Sequence, residues 1–494
     1  MNSTAFACAS PKRSHDECGR APDDRGGGVA QRGTDLAECH FPCRKTKLGD
    51  GPGSGAAVSI RTPTTKKGAR SVFSALTTVS APREIPLVTV TGNETEFDVR
   101  DERALTDSEA AFLLAGFGPV VVRADVGGTF DPALLDRAWR LLGQAYPLLR
   151  CGVLGGPDGF RLVLREAVPA PVADADDFRQ AIGRRLGDGA VSRLSLRETN
   201  GATELTLAVD HAFSDGRLVQ VLLGKLLEFY AVLRRGDTPS VVPRPVFEPG
   251  LQHRLTGRYE PGWPEPADVP GGVVTLAGGP GTSSPGFGVH RIELGRGPTA
   301  ALAAFAGTAG ISVTGLLCGA VAGAVLARRP GDTAVRPVTL SVPVDFRRRL
   351  APPIDPDAQL CAALPCLVTV SAAATDDPVD IGLRVAAELR AAIRRAEPQR
   401  TLLAQCLVPA PPPPMTFLVS NLGVREYPEL PGDLSVTTSR VAATLPGPVP
   451  AVFAVTVNGE LALDVVYDRA FHDDSEVSAV AASVETTLRS TAER

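Results

Sequence analysis

Six residues near the middle of the chain, residues 211–216, read H-A-F-S-D-G and stand between a strand pattern and a helix pattern. Before them, residues 204–209 alternate polar and apolar side chains, as a half-buried strand does. After them, apolar residues recur at helical spacing until Gly236, which is typical of a helix end. A histidine between a strand and a turn is held by rigid backbone and still faces a cavity, which is how a general base is mounted.

At this motif the chain resembles the CoA-dependent acyltransferase superfamily, which includes chloramphenicol acetyltransferase, plant hydroxyl acyltransferases and the condensation domains of nonribosomal peptide synthetases. It is most similar to the polyketide-associated acyltransferases of the phthiocerol/phthiodiolone dimycocerosyl transferase type. The resemblance covers roughly residues 84–490. Three further segments carry it: residues 135–150 (LDRAWRLLGQAYPLLR), residues 342–353 (VPVDFRRRLAPP) and residues 419–423 (VSNLG).

The resemblance implies an α/β fold of two pseudo-symmetric lobes like those of chloramphenicol acetyltransferase. Each lobe is a mixed sheet with flanking helices, and the active-site channel runs between the lobes. Composition helps to place the boundaries, because the first 70 residues hold only two aromatic side chains and prolines and glycines recur before residue 286. We predict a disordered extension (1–83), an N-terminal lobe with the histidine motif (84–247), a crossover linker (248–285) and a C-terminal lobe (286–494).

The resemblance also assigns roles to individual residues. His211 is the catalytic general base, and its ordinary pKa of about 6.5 suits neutral pH. An isolated histidine is more often a satisfied core residue, and the motif favours catalysis here. Asp215 has a structural role and forms an ion pair with Arg347 from the second lobe. Gly216 lets the backbone approach the thioester or simply starts a helix.

Two further positions leave alternatives open. Ser420 and Asn421 are candidates for substrate binding and oxyanion stabilisation through the VSNLG segment, or they are structural. Asp210 stands where many relatives carry a second histidine. Its carboxylate either raises the pKa of His211 or caps the turn.

The function that the resemblance implies is O-acyl transfer. A fatty or polyketide acyl group moves from a thioester to a hydroxyl, in a direct ternary complex without an acyl-enzyme. The donor is acyl-CoA or the acyl carrier protein of a polyketide synthase, the acceptor is a small or lipidic alcohol, and no cofactor is tightly bound. The alternatives are a free-standing condensation-type N-acyltransferase and a catalytically silent scaffold that binds carrier proteins.

Charge excludes one class of partner and suggests another. The chain has a formal net charge of −4; residues 71–494 hold 39 Lys and Arg against 48 Asp and Glu. An acidic body of this kind argues against a nucleic-acid partner. Arg348 and Arg349 form a local basic run, which either docks an acidic carrier protein or is a solvated edge.

Nine cysteines are an odd number, which argues against a closed disulfide framework and favours reduced thiols in a cytoplasmic protein. The spacing of Cys18, Cys39, His40 and Cys43 fits no standard zinc finger, so we predict no metal site. The remaining cysteines lie mostly in apolar stretches without a histidine partner: Cys151, Cys318, Cys361, Cys366 and Cys406.

Residues 311–327 carry no charge and have the length of a short membrane span. Gly315, Gly319 and Gly323 fall four apart, which gives a smooth face for close helix packing. We interpret this segment as a buried helix against the sheet. We therefore predict no transmembrane span. We also predict that the protein is a monomer.

Overall fold

The computed structural model describes residues 101–156, 159–173, 177–199, 201–264, 272–276, 286–329, 333–408, 413–444 and 446–494. The predicted extension, with Cys18, Cys39, His40 and Cys43, lies outside the described residues, as does most of 265–285. The described residues belong to one compact unit.

Ten α-helices and thirteen strands occur in the described residues. The helices are α1 (Asp107–Leu114), α2 (Pro132–Ala145), α3 (Phe178–Gly183), α4 (Gly216–Arg234), α5 (Leu251–Leu255), α6 (Arg296–Thr308), α7 (Val313–Leu326), α8 (Pro378–Arg394), α9 (Glu397–Leu407) and α10 (Asp474–Ala492). The strands are β1 (Glu102–Ala104), β2 (Val120–Gly127), β3 (Cys151–Gly156), β4 (Gly159–Leu164), β5 (Ser192–Thr199), β6 (Ala202–Val209), β7 (Phe287–Leu294), β8 (Arg336–Asp345), β9 (Ala363–Ala372), β10 (Phe417–Arg425), β11 (Ser435–Ala442), β12 (Ala451–Val457) and β13 (Glu460–Asp468).

The strands form three sheets, which confirms the mixed α/β class. A small sheet has the order β1-β4-β3, and a four-stranded antiparallel sheet has the order β11-β2-β6-β5. A six-stranded mixed sheet has the order β7-β13-β12-β10-β8-β9, with β10 parallel to both of its neighbours. Strand β11 follows β10 in the chain but pairs with β2, so the sheet that carries the histidine motif includes a strand from the C-terminal part.

The local sequence explains how the helices near the motif begin. Thr106 and Glu109 cap the start of α1 reciprocally, as the T-x-x-E pattern predicts. Asp131 caps α2, whose first residue is Pro132. The apolar face of α2 packs on α4, and Trp139 of α2 is fully buried.

Helix α7 packs closely on α8, as the glycine spacing predicts. A Cβ at Gly319 would lie 1.9 Å from the carbonyl oxygen of Pro378, so the two backbones touch at this point. Among the described residues, no single helix is long and apolar enough to cross a membrane; α6 and α7 pass that test only as a pair bent by 102°.

Candidate active site

His211 lies two residues after the end of β6, an inner strand of the four-stranded sheet, where the chain turns towards α4. The turn is closed by Ser214, whose Oγ donates to the carbonyl oxygen of Asp210 at 2.9 Å. Asp215 then caps α4, because its Oδ1 accepts from the backbone N–H of Leu218 at 3.0 Å. The strand, the turn and the capped helix together fix the position of the imidazole.

The hydrogen bonding of the imidazole decides which nitrogen is basic. Nδ1 of His211 lies 2.9 Å from the carbonyl oxygen of Ser214. A carbonyl oxygen only accepts, so Nδ1 carries the proton in the neutral ring. The lone pair is therefore on Nε2, which is the atom that can take a proton from a substrate.

Two phenylalanine rings cover the imidazole. The ring centroid of Phe112 lies 5.0 Å from that of His211, and Phe117 meets the imidazole at 6.1 Å, nearly edge-on. Burial lowers the pKa of His211, against the opposing effects of the Ser214 carbonyl and the Asp215 charge. Burial therefore favours the neutral form of the ring, which is the form that a general base needs.

The end of α1 places these two rings. The N–H of Phe117 bonds to the carbonyl of Phe112 and that of Gly116 to Leu113, which together form a Schellman motif. Gly116 has a φ of +75°, a conformation that glycine adopts without steric cost. The motif folds Phe117 back onto Phe112, with ring centroids 4.9 Å apart.

The structure brings Asp215 and Arg347 into contact. Nη1 of Arg347 donates to Oδ2 of Asp215 at 2.7 Å, and both side chains are almost completely buried. The backbone N–H of Ala362 donates to the same oxygen at 2.8 Å. Burial alone would raise the pKa of Asp215, but the charge and hydrogen bonds of Arg347 and the two backbone N–H groups lower it.

Arg347 also fixes the segment that follows β8. Its Nη2 donates to the carbonyl oxygen of Leu360 at 2.8 Å, and its Nη1 lies 3.2 Å from Oδ1 of Asp345. The contact between Asp215 and Arg347, which are 132 positions apart, therefore links the histidine turn to Asp345 and Leu360 in the C-terminal half.

Asp210 caps the turn. Its Oδ1 accepts from the backbone N–H of Ala212 at 2.9 Å, and burial raises the pKa of the carboxyl to about 6 despite this hydrogen bond and nearby Arg185. In the described part of the chain, no hydrogen bond joins Asp210 to His211. The geometry therefore favours the capping alternative.

Gly216 begins α4, whereas the other two substrate-binding candidates, Ser420 and Asn421, lie in β10. The space beside Gly216 is occupied by Leu422, since a Cβ there would lie 2.6 Å from Cδ2 of that leucine. Asn421 donates from Nδ2 to Thr314 at 3.2 Å and accepts from the N–H of Gly423 at 3.0 Å. Ser420 is buried in the same strand.

The cysteines are poor nucleophiles in this fold. The five described cysteines are free thiols, and burial raises the pKa of Cys151 and Cys318 to about 12. Among the described side chains, no group of His, Cys, Asp or Glu comes together as a metal site.

Several residues of the site carry no role in the sequence interpretation. The sequence F-L-L-A-G-F could have indicated Phe112, Gly116 and Phe117, because a glycine after a helix, with apolar residues four positions before it and one after it, is a Schellman pattern. Arg217, Gln220 and Arg425 form a second group beside the motif. Nothing in the local sequence brings Arg425 to α4, since that contact spans 205 residues.

Comparison with known proteins identifies relatives in sequence. Residues 283–466 match the family model of the phthiocerol/phthiodiolone dimycocerosyl transferase C-terminus. The chain is 28% identical over 319 residues to the phthiocerol/phthiodiolone dimycocerosyl transferase of Mycobacterium leprae (strain TN), covering 59% of this chain and 74% of that protein.

Solved structures show the same fold. Polyketide synthase associated protein 5 from Mycobacterium tuberculosis superposes with a TM-score of 0.63 at 20% identity, covering 79% of this chain and 98% of that one. The first condensation domain of the CDA synthetase gives 0.58 at 16%, covering 80% and 97%. Trichothecene 15-O-acetyltransferase from Fusarium sporotrichioides gives 0.58 at 14%, covering 79% and 95%.

Fold and sequence together define an acyltransferase of the condensation and CoA-dependent acyltransferase type, which confirms the resemblance seen at the motif. Within that class, the chain is similar in sequence to the phthiocerol/phthiodiolone dimycocerosyl transferases.

Proposed function

We propose that the protein is an O-acyltransferase that moves a fatty or polyketide acyl group from a thioester to a hydroxyl, with His211 as the general base. The observation that carries this proposal is the hydrogen bond between His211 and the Ser214 carbonyl oxygen. Nδ1 of the ring is engaged by this carbonyl, so Nε2 is free to accept a proton.

The reaction runs as one direct transfer. Nε2 of His211 takes the proton of the acceptor hydroxyl as the oxygen attacks the thioester carbonyl carbon. The tetrahedral intermediate collapses with loss of the C–S bond, and the imidazolium returns its proton to the thiolate. The products are an ester and a free thiol, and no acyl-enzyme forms.

The supporting residues act on the position of the base. The Asp215–Arg347 pair fixes the turn that carries His211, and it joins the proposed lobes 84–247 and 286–494. We propose that the substrates enter between these lobes, with residues 248–285 as the crossover. A buried ion pair with additional hydrogen bonds favours a single loop geometry, which proton transfer requires.

The donor is acyl-CoA or an acyl carrier protein. The proposed substrate-binding residues are Gly216 at the start of α4 and Ser420 and Asn421 in β10. Arg348 and Arg349 are exposed next to the buried Arg347, so they are accessible to an acidic carrier protein. Reversal of both charges should then slow transfer from a carrier protein and leave transfer from CoA unchanged.

The test is an assay of purified protein with a panel of acyl-CoAs and octanol, in which mass spectrometry follows the ester and free CoA. We expect wild-type protein to form the ester and His211→Ala to lose at least 100-fold in rate, the usual contribution of general-base catalysis. His253→Ala is the matched control, because His253 is an exposed histidine on α5.

Each outcome of this assay is informative. Equal ester formation by wild type and His211→Ala would remove His211 from the mechanism. Amide formation with octylamine, and none with octanol, would replace O-acylation with the condensation-type reaction. Absence of any product from CoA and from carrier-bound donors would favour the silent scaffold.

A further inference from the structure

Arg425, the last residue of β10, is a half-buried cation whose hydrogen bonds go to neutral groups. Its Nε donates to Oε1 of Gln220 at 2.7 Å, and its Nη2 lies 3.4 Å from the carbonyl oxygen of Arg217. No carboxylate among the described residues contacts it. Burial and the neighbouring charge of Arg217 lower the pKa of Arg425. A desolvated cation without a counter-ion is costly unless an anion joins it.

Gln220 contributes a hydrogen-bond donor without a partner. The side chain is 2% exposed, and its Nε2 has no hydrogen-bond partner. Its orientation is fixed, because Oε1 must face the Nε–H of Arg425. A buried N–H that bonds to nothing costs free energy, and such groups are rare in folded proteins.

The surrounding charge is positive. Arg217 lies in the first turn of α4, with its Nε 3.3 Å from Oδ2 of Asp345. Asp345 is shared with Arg347, which already holds Asp215. Arg217 and Arg347 therefore take both of these carboxylates and leave none for Arg425. The N-terminus of the 19-residue helix α4 adds its positive end.

We propose that Arg217, Gln220 and Arg425 form a binding site for the anionic group, a carboxylate or phosphate, of a substrate. The site deepens the proposed function, on which it rests, because it lies one helical turn beyond the histidine motif. The anion would accept from Gln220 Nε2 and from the two guanidinium groups. It belongs either to the donor, as a phosphate of CoA or of a carrier arm, or to the acceptor.

A single substitution tests the site without removing a charge partner. In Gln220→Glu, one carboxylate oxygen keeps the bond to Arg425 and the other replaces the unpaired N–H. The built-in anion should raise the melting temperature and exclude an external one. Arg425→Gln removes the cation, and Arg140→Gln is the control, because Arg140 is 68% exposed on α2.

Isothermal titration separates the two sources of the anion. CoA is compared with pantetheine, which lacks phosphate, and 8-hydroxyoctanoate is compared with octanol. We expect one anionic ligand to bind about tenfold more weakly to Gln220→Glu and Arg425→Gln than to wild type, the loss of one charge-assisted contact. The binding of its neutral counterpart should not change. The ligand pair that responds shows whether the donor or the acceptor carries the anion.

The outcomes distinguish the site from the reaction. Binding is measured without turnover, so His211→Ala should keep the anion preference and lose only ester formation. The proposal is overturned if neither anionic ligand binds more weakly to the two variants than to Arg140→Gln, or if Gln220→Glu binds anions as wild type does. The cluster is then a structural contact between α4 and β10.

Discussion

Two buried carboxylates in this protein join distant parts of the chain with arginine. Asp215 and Asp464 are 2% and 1% exposed. Asp215 binds Arg347, and Asp464 on β13 binds Arg291 of β7 at 3.0 Å and Arg440 of β11 at 2.6 Å. The chemistry of the two junctions is the same, so burial and charge pairing do not by themselves mark an active site.

The difference lies in what each carboxylate holds. Asp464 connects three strands, and the guanidinium of Arg440 also packs over the ring of Phe178 at 4.2 Å. Asp215 caps a helix and fixes a turn, and four residues before it stands the imidazole with Nε2 free. If His211 is the base, as we propose, the Asp215 junction affects catalysis through position, whereas the Asp464 junction supports the sheet packing.

The largest expected effect separates the two junctions. Asp215→Asn and Asp464→Asn each leave buried arginine without its full partner, and each should lower the free energy of unfolding by about 3–5 kcal/mol in urea titrations. Asp215→Asn should also lower kcat/KM at least tenfold when assayed in the cold, where both variants are folded. For Asp464→Asn, kcat/KM should stay within twofold of the wild-type value. Equal loss of activity in both would show that the effect is general destabilisation.

A double-mutant cycle sharpens the comparison. Asp215→Asn and Arg347→Gln should couple by about 2 kcal/mol in unfolding free energy, because each removes the main charge partner of the other. Asp464→Asn and Arg440→Gln should couple less, since Arg291 still faces the carboxylate. A larger coupling at the Asp464 junction would reverse this order.

The sequence predicts the Asp215 junction much better than the Asp464 junction. The pattern around His211 determines strand, turn and helix, and the resemblance names Asp215 and Arg347 as partners. No local sequence pattern links Asp464 to Arg440. Their contact joins β13 to β11, and β11 pairs with β2 rather than with the strands next to it in the chain. Pairing of that kind is decided by tertiary packing, which a single sequence does not display.

The aromatic cover of the imidazole predicts a change in pH dependence. Phe112→Ala admits water to His211, which favours the charged ring and raises its pKa. Because the base must be neutral, the acid limb of the kcat/KM profile should move to higher pH, by up to about one unit. Phe112→Leu should move it less, and Phe178→Leu at the Asp464 junction should leave it in place. A shift to lower pH would contradict the role of burial.

The smallest expected effect concerns Gly216. Alanine there brings a Cβ within 2.6 Å of Leu422, the flexible end of a side chain, so the fall in unfolding free energy should be about 1 kcal/mol. If the thioester also approaches the backbone at Gly216, KM for acyl-CoA should rise several-fold. Leu422→Ala removes the clash, so in that background Gly216→Ala should cost no further stability, while the raised KM remains. The methyl group that Gly216→Ala introduces would still stand in the path of the thioester after Leu422→Ala. Recovery of both stability and KM would therefore assign Gly216 to packing alone.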